Sequence, residues 1–188
     1  MKTASVLTIG LLVLILGALV YFLSTNADFR TGSSGGIRPE AEEYMEPNTV
    51  VIEKFGLKVP IIRVEEATQE AFTEAMRHGV GHYPGTAQIG EYGNAFLFGH
   101  SSPAPWSTND YETIFTPIAR LEIGEEIRAS DGTGRMFKYR VIEKYVVSPD
   151  ALGPLDQREH KRRLLTLQTS WPPGRSLQRY IVTAEIEE

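Results

Sequence analysis

The chain is 188 residues long, 41% hydrophobic and 23% charged, with a formal net charge of −5 and no cysteine. That length suits one core-forming domain with appendages, and a mildly acidic balance lacks the basic surface that nucleic-acid binding depends on. Without cysteine, disulfides, thiolate metal sites and cysteine nucleophiles are all excluded.

Residues 4–23, ASVLTIGLLVLILGALVYFL, carry no charge. They are long enough to cross a hydrocarbon layer of about 30 Å as a helix, which predicts an N-terminal transmembrane anchor over residues 1–23. The very short flank containing Lys2 favours an inside N-terminus and an extracytoplasmic C-terminal domain. A cleavable signal peptide is the rival reading. Its apolar core usually spans only about 7–15 residues, and Leu23-Ser24-Thr25-Asn26-Ala27 is a poor cleavage pattern. Either reading exports the remainder. Residues 24–47, with the run TGSSGG at 31–36, cannot bury apolar surface and read as a flexible extracytoplasmic tether.

The folded domain is expected over 48–188. Strand-like runs at 48–55 and 58–64 flank Gly56, and Pro60 argues for an edge or a bulge in the second. Ala71, Phe72, Ala75 and Met76 recur at helical spacing over 68–78, with Gly79 as the stop. The short apolar run 93–99 predicts a buried strand, and 111–121 a short helix interrupted by Pro117. Runs at 126–130 and 136–147 surround Asp131-Gly132-Thr133-Gly134, a strong hairpin signal. The longer arm alternates, with Phe137, Tyr139 and Val141 on one face. Strands at 164–169 and 179–186 complete the pattern. Roughly seven or eight strands with two or three short helices predict a mainly-β fold, a closed or nearly closed barrel.

Three polar residues stand at the ends of buried strands, where side chains are held rigidly: His100 after AFLFG, Ser170 after LLTLQT, and Arg179 at the start of the last strand. A hydroxyl, an imidazole and a guanidinium could form a nucleophile, base and oxyanion donor for acyl transfer. Spacing alone leaves the alternative of solvated strand-end residues open.

The stretch 79–100, GVGHYPGTAQIGEYGNAFLFGH, resembles the sortase pattern leading to the family's catalytic histidine. The stretch 166–179, TLQTSWPPGRSLQR, resembles the family's T-L-x-T-C motif followed by its catalytic arginine. LEIGEEI at 121–127 and VVSPD at 146–150 are similar to further family segments. The resemblance spans about residues 48–188 and is nearest to class D/E sortases. It implies a sortase-like eight-stranded β-barrel behind one transmembrane helix. It also implies a membrane-anchored transpeptidase acting on secreted proteins with C-terminal LPxTG-type sorting signals, with a cell-wall precursor or other amine as acceptor, and no cofactor.

Position by position, the resemblance implies that Ser170 occupies the nucleophile position, that His100 is the general acid/base, and that Arg179 holds substrate and stabilises the oxyanion. It further implies that Thr169 offers a substrate contact. Trp171 either covers the groove or anchors the Pro172-Pro173-Gly174 turn. The departure is Ser170, since the family nucleophile is cysteine. A thiol ionises near pKa ~8.5, whereas a serine hydroxyl needs a neighbouring base to take its proton during attack. The sequence leaves three readings of Ser170 open: a serine introduced in place of cysteine, a natural serine nucleophile, and a natural chain that binds sorting signals without cleaving them. A serine hydrolase of another family is a further rival, without a G-x-S-x-G elbow in its favour.

Other candidates carry less. His78 and His82 have a metal-like spacing, but glycines intervene and no third or fourth ligand appears, so no metal site is expected. His82 is expected to pack or to line the groove, and His160 in the charged run 158–163 to be solvated. Trp106 lies in the loop after His100, as either a lid or a core plug. A calcium site, known in some sortases, has no support in the scattered acids.

Overall fold

A computed structural model describes residues 42–102, 110–158 and 161–187. The expected anchor at 1–23, most of the tether, and Trp106 and His160 lie outside them. Among the described residues no helix is long and apolar enough to cross a membrane.

The described chain forms eight strands: β1 (Thr49–Ile52), β2 (Leu57–Arg63), β3 (Val80–His82), β4 (Gly93–Phe98), β5 (Glu126–Ser130), β6 (Met136–Val147), β7 (Arg163–Trp171) and β8 (Gln178–Ile186). They close into a barrel in the order β1-β2-β3-β4-β7-β8-β6-β5. Closure leaves no free sheet edge. The β2–β3 and β4–β7 pairs are parallel and the remaining neighbours antiparallel.

The hairpin around Gly56 forms as expected. A 3-10 turn at Glu53–Phe55 leads to Gly56 in the left-handed region at φ 61°. Pro60 does not mark an edge strand, because β2 lies between β1 and β3. It falls one residue before the first β2–β3 pair, Ile61↔Val80, so β3 is not denied a donor there.

Among the described residues one α-helix forms, α1 (Gln69–His78), which begins where the Thr68 hydroxyl accepts from the Ala71 N–H at 3.2 Å. Its apolar face, Ala71, Phe72, Ala75 and Met76, packs with Val64, Phe96 and Phe98 outside the barrel. This explains why β4 is buried throughout. Ala95 and Leu97 face the barrel interior with Leu165, Leu167, Val182 and Ala184, while Phe96 and Phe98 face the helix cluster. A strand covered on both faces reads as a continuous apolar run.

On β6, Tyr139 and Val141 are buried, and Phe137 packs on the same core. The stretch around Pro117 forms two 3-10 turns, Asp110–Thr113 and Thr116–Arg120. The turn between β5 and β6 is held by the Asp131 carboxylate, which accepts from the N–H groups of Thr133 at 2.8 Å and Arg135 at 3.1 Å.

Residues 42–47, the last part of the segment read as tether, lie along this hairpin. Met45 N–H donates to the Gly134 carbonyl at 2.9 Å, and Met136 N–H to the Glu43 carbonyl at 2.7 Å. Strand directions put this contact at one end of the barrel. β4 and β7 finish, and β8 begins, at the other.

Candidate active site

The chain around His100 is bonded to the end of β7, which carries Ser170, and β7 pairs with the start of β8, which carries Arg179. Ser170 pairs directly with Arg179 across β7 and β8. In the parallel β4–β7 ladder, Phe98 pairs with Gln168. The ladder ends there, and His100 follows two residues later between Gly99 and Ser101, whose bonds reach Gln168 and Ser170. Alternation gives Ser170 and Arg179 the same face. Ala95 and Leu97, Leu165 and Leu167, and Val182 and Ala184 point inward. Ser170 and Arg179 have the opposite parity on their strands and point outward.

Backbone and hydroxyl bonds fix this arrangement. Gly99 N–H donates to the Gln168 carbonyl at 3.1 Å. The Thr169 hydroxyl donates to the Gly99 carbonyl at 2.8 Å, and the Ser101 hydroxyl to the Ser170 carbonyl at 2.9 Å. On the other side of the loop, Phe115 N–H donates to the His100 carbonyl at 2.9 Å, and the Thr116 hydroxyl to the Ser101 carbonyl at 2.7 Å. Position 99 has no room for a side chain. A Cβ there would meet the Phe115 ring at 2.8 Å, so glycine lets the chain turn out of β4 against the core.

The His100 imidazole is half-buried. Desolvation pulls its pKa below the ordinary histidine value, while the Glu112 charge pulls it back up. At neutral pH the ring is therefore mainly neutral and able to accept a proton. Burial lowers the pKa of Arg179 as well, though guanidinium stays protonated at any physiological pH. The Ser170 hydroxyl accepts from the Ser176 hydroxyl at 3.4 Å.

The other two expected substrate contacts sit differently. Thr169 is buried with the inward parity, and its hydroxyl ties β7 to Gly99. Trp171 has the same parity, and its ring lies 5.1 Å from that of Tyr180, which matches an anchoring position at the start of the turn. His82 is buried and packs within its own loop, its Nε2 at 2.9 Å from the Ala87 carbonyl and 3.0 Å from the Thr86 hydroxyl. His78 pairs with Glu74 at 3.0 Å on the exposed face of α1. Among the described residues no group of histidine and acidic side chains could hold a metal ion. Sequence reading did not single out Glu112, Ser101 or Ser176. They lie in irregular segments where no periodicity marks them.

The closed barrel thus sets a hydroxyl and a guanidinium opposite each other on adjacent strands, with an imidazole just after the end of the neighbouring one. A family model described as the sortase domain matches residues 50–187, and the chain belongs to the sortase family. Among solved structures, it is similar to a Clostridium perfringens sortase D5 transpeptidase. The identity is 28%, the TM-score 0.60, and the match covers 74% of this chain and 78% of that one. It is also similar to sortase C-1 from Actinomyces oris, at 27% identity and TM-score 0.61, over 74% of this chain and 73% of that one. Sortase C1 from Streptococcus suis shares the fold at 20% identity and TM-score 0.63, over 76% of this chain and 73% of that one. No curated protein matched the chain.

Proposed function

We propose that this protein is a membrane-anchored sortase that transfers the acyl part of C-terminal LPxTG-type sorting signals to an amine of the cell envelope, with Ser170 as a slow nucleophile in the place of cysteine. The observation that carries this reading is the direct pairing of Ser170 with Arg179, with His100 two residues past the neighbouring end of β4.

In the reaction, a His100 ring nitrogen takes the proton from the Ser170 hydroxyl as Oγ attacks the Thr–Gly carbonyl carbon. Arg179 offers its N–H groups to the developing oxyanion. The C–N bond then breaks, His100 gives its proton to the leaving amine, and an ester to Ser170 remains. An acceptor amine attacks that ester, the C–O bond breaks, and Ser170 recovers its proton. Serine differs from cysteine in needing the base at the moment of attack. A neutral imidazole meets that need, whereas an imidazolium would not.

The anchor at 1–23, with its N-terminus in the cytoplasm, would present the domain outside the cell. Residues 42–47 run along the end of the barrel away from the site.

A second reading is a protein that binds sorting signals in the same groove without cleaving them. It is favoured by the Ser170 hydroxyl being engaged by Ser176.

The test compares the protein with its Ser170→Cys variant on an LPxTG-type peptide, with hydroxylamine as acceptor. The proposal expects hydroxamate product from both, with the cysteine form faster by about tenfold or more. Product from the cysteine form alone, with peptide bound by both, would replace the proposal with the binding reading.

A further inference from the structure

The parallel β4–β7 ladder closes in an unusual way. Gly99 N–H donates to the Gln168 carbonyl at 3.1 Å. Successive rungs lie two residues apart along each strand, so the next acceptor is the Ser170 carbonyl and the next backbone donor would be Ser101 N–H. The donor observed there is the Ser101 hydroxyl, at 2.9 Å. A side chain stands in for the backbone rung at the point where the chain leaves the sheet. The carbonyls of His100 and Ser101 are bonded in turn by Phe115 N–H at 2.9 Å and by the Thr116 hydroxyl at 2.7 Å, both at the start of the 3-10 turn Thr116–Arg120. Residues 100 and 101 are therefore clamped between that turn and the end of β7. Ser101 is only 3% exposed, so water has little access to compete for its hydroxyl bond.

Resting on the reading of His100 as the base and Ser170 as the nucleophile, we propose that Ser101 is a positioning residue for the reaction: its hydroxyl ties the residue beside the base to the backbone of the nucleophile and so sets the spacing between them. Serine suits this position for a chemical reason. A backbone rung would keep residues 99–101 in extended strand geometry. A hydroxyl on a short side chain adds a rotatable bond, so the peptide after His100 can turn toward Phe115 and Thr116 while the Ser170 carbonyl stays held. The Ser101 proton is engaged by that carbonyl, so Ser101 acts through its neighbours and not on the substrate. A nucleophile and its base must come within about 2.6–3.2 Å during attack, and a misplacement of about 1 Å can cost about 10²-fold. Slack in this tie is therefore felt in the chemical step rather than in peptide affinity.

The experiment joins steady-state kinetics on an LPxTG-type peptide, with hydroxylamine as acceptor, to crystal structures of the parent chain and Ser101→Ala. The expected result is a kcat lower by about tenfold or more in Ser101→Ala, with KM within about twofold of the parent. In the crystal structures the His100 ring should shift relative to Ser170 by about 1 Å. Thr166→Val removes another buried β7 hydroxyl, the one bonded to Asn94 at 2.8 Å. It is the control for lost stability and should keep the parent kcat. Thr116→Val frees the Ser101 carbonyl, should lower kcat in the same sense, and is the deciding variant should Ser101→Ala fail to fold. A parent-like kcat in Ser101→Ala, an equal fall in Thr166→Val, or a His100–Ser170 geometry unchanged in the Ser101→Ala crystal would overturn the assignment. The structures read the tie whether or not peptide is turned over. Failure of the acyl-transfer reading appears instead as a parent chain that gives no product.

Discussion

Ser170 and Arg179 are directly opposed residues of β7 and β8, so the sheet ladder sets both side chains on one face, where the guanidinium donates to the Gln178 carbonyl at 3.1 Å. Such a placement is stiff, and it demands the planar fork of arginine rather than charge alone. Arg179→Lys should therefore lower kcat/KM nearly as far as Arg179→Ala, by about 10²–10³-fold. The thermal midpoint should stay close to that of the parent. Peptide-transfer kinetics alongside thermal melts check this, and a lysine variant with parent-like kinetics would argue against a directional role.

Desolvation depresses the proton affinity of both His82 and His100. Both folded-state values lie below the ordinary 6.5, so the unfolded chain binds more protons as the pH drops. The stability these groups contribute is present above 6.5 and is lost as pH falls through the lower folded values. Thermal melts taken from about pH 7.5 down to 5 should show a falling midpoint, and His82→Gln should flatten that slope. The rate should have its acid limb below 6.5, because catalysis by serine needs the neutral His100 ring.

The strongest buried polar cluster away from the site centres on Asn94. Its side-chain amide donates to the Pro154 carbonyl at 2.9 Å and its Oδ1 accepts from the Thr166 hydroxyl at 2.8 Å, while the Gln157 side chain reaches the Asn94 carbonyl at 2.9 Å. These bonds clamp the segment after β6 over the outer face of β4 and β7. Asn94→Leu leaves the Thr166 hydroxyl and Pro154 carbonyl without these partners, and should cost about 2–3 kcal/mol in chemical denaturation. Thr166→Val should cost less, because Asn94 keeps its other bond.

Residues 42–47 belong to the energetics of the barrel. The Ser130 hydroxyl is buried, donates to the Glu46 carbonyl at 2.5 Å, and accepts from Thr49 N–H at 3.0 Å. Lys138 pairs with Glu43 at 2.6 Å, an exposed contact of small weight. A chain starting at residue 48 should unfold at lower denaturant than one starting at residue 42, by about 1–3 kcal/mol. Equal midpoints would show that this segment merely lies on the surface.

Much of the fold could be read from local pattern. The 3.6-residue spacing of Ala71, Phe72, Ala75 and Met76, the alternation of Tyr139 and Val141, and the Asp131–Gly134 turn each gave an element close to its observed bounds. Pro60 misled, because its position between two strands depends on β3, which is only three residues long and follows a helix. The site residues were marked by their position at the ends of apolar runs and by the family resemblance. Their juxtaposition was not visible in sequence. It needs the parallel pairing of β4 with β7 across a long insertion, and no local signal encodes a partner so distant. Thr169 was expected at the groove because it adjoins Ser170, but strand alternation sends neighbours to opposite faces.

The central claim is that Ser170 carries the acyl group between His100 and Arg179. Intact-mass spectrometry of the protein mixed with an LPxTG-type peptide tests it most directly. The account predicts an ester adduct mapped to Ser170, discharged by hydroxylamine, absent from Ser170→Ala and strongly reduced in His100→Ala. An adduct on another residue, or none on the serine protein, would contradict it.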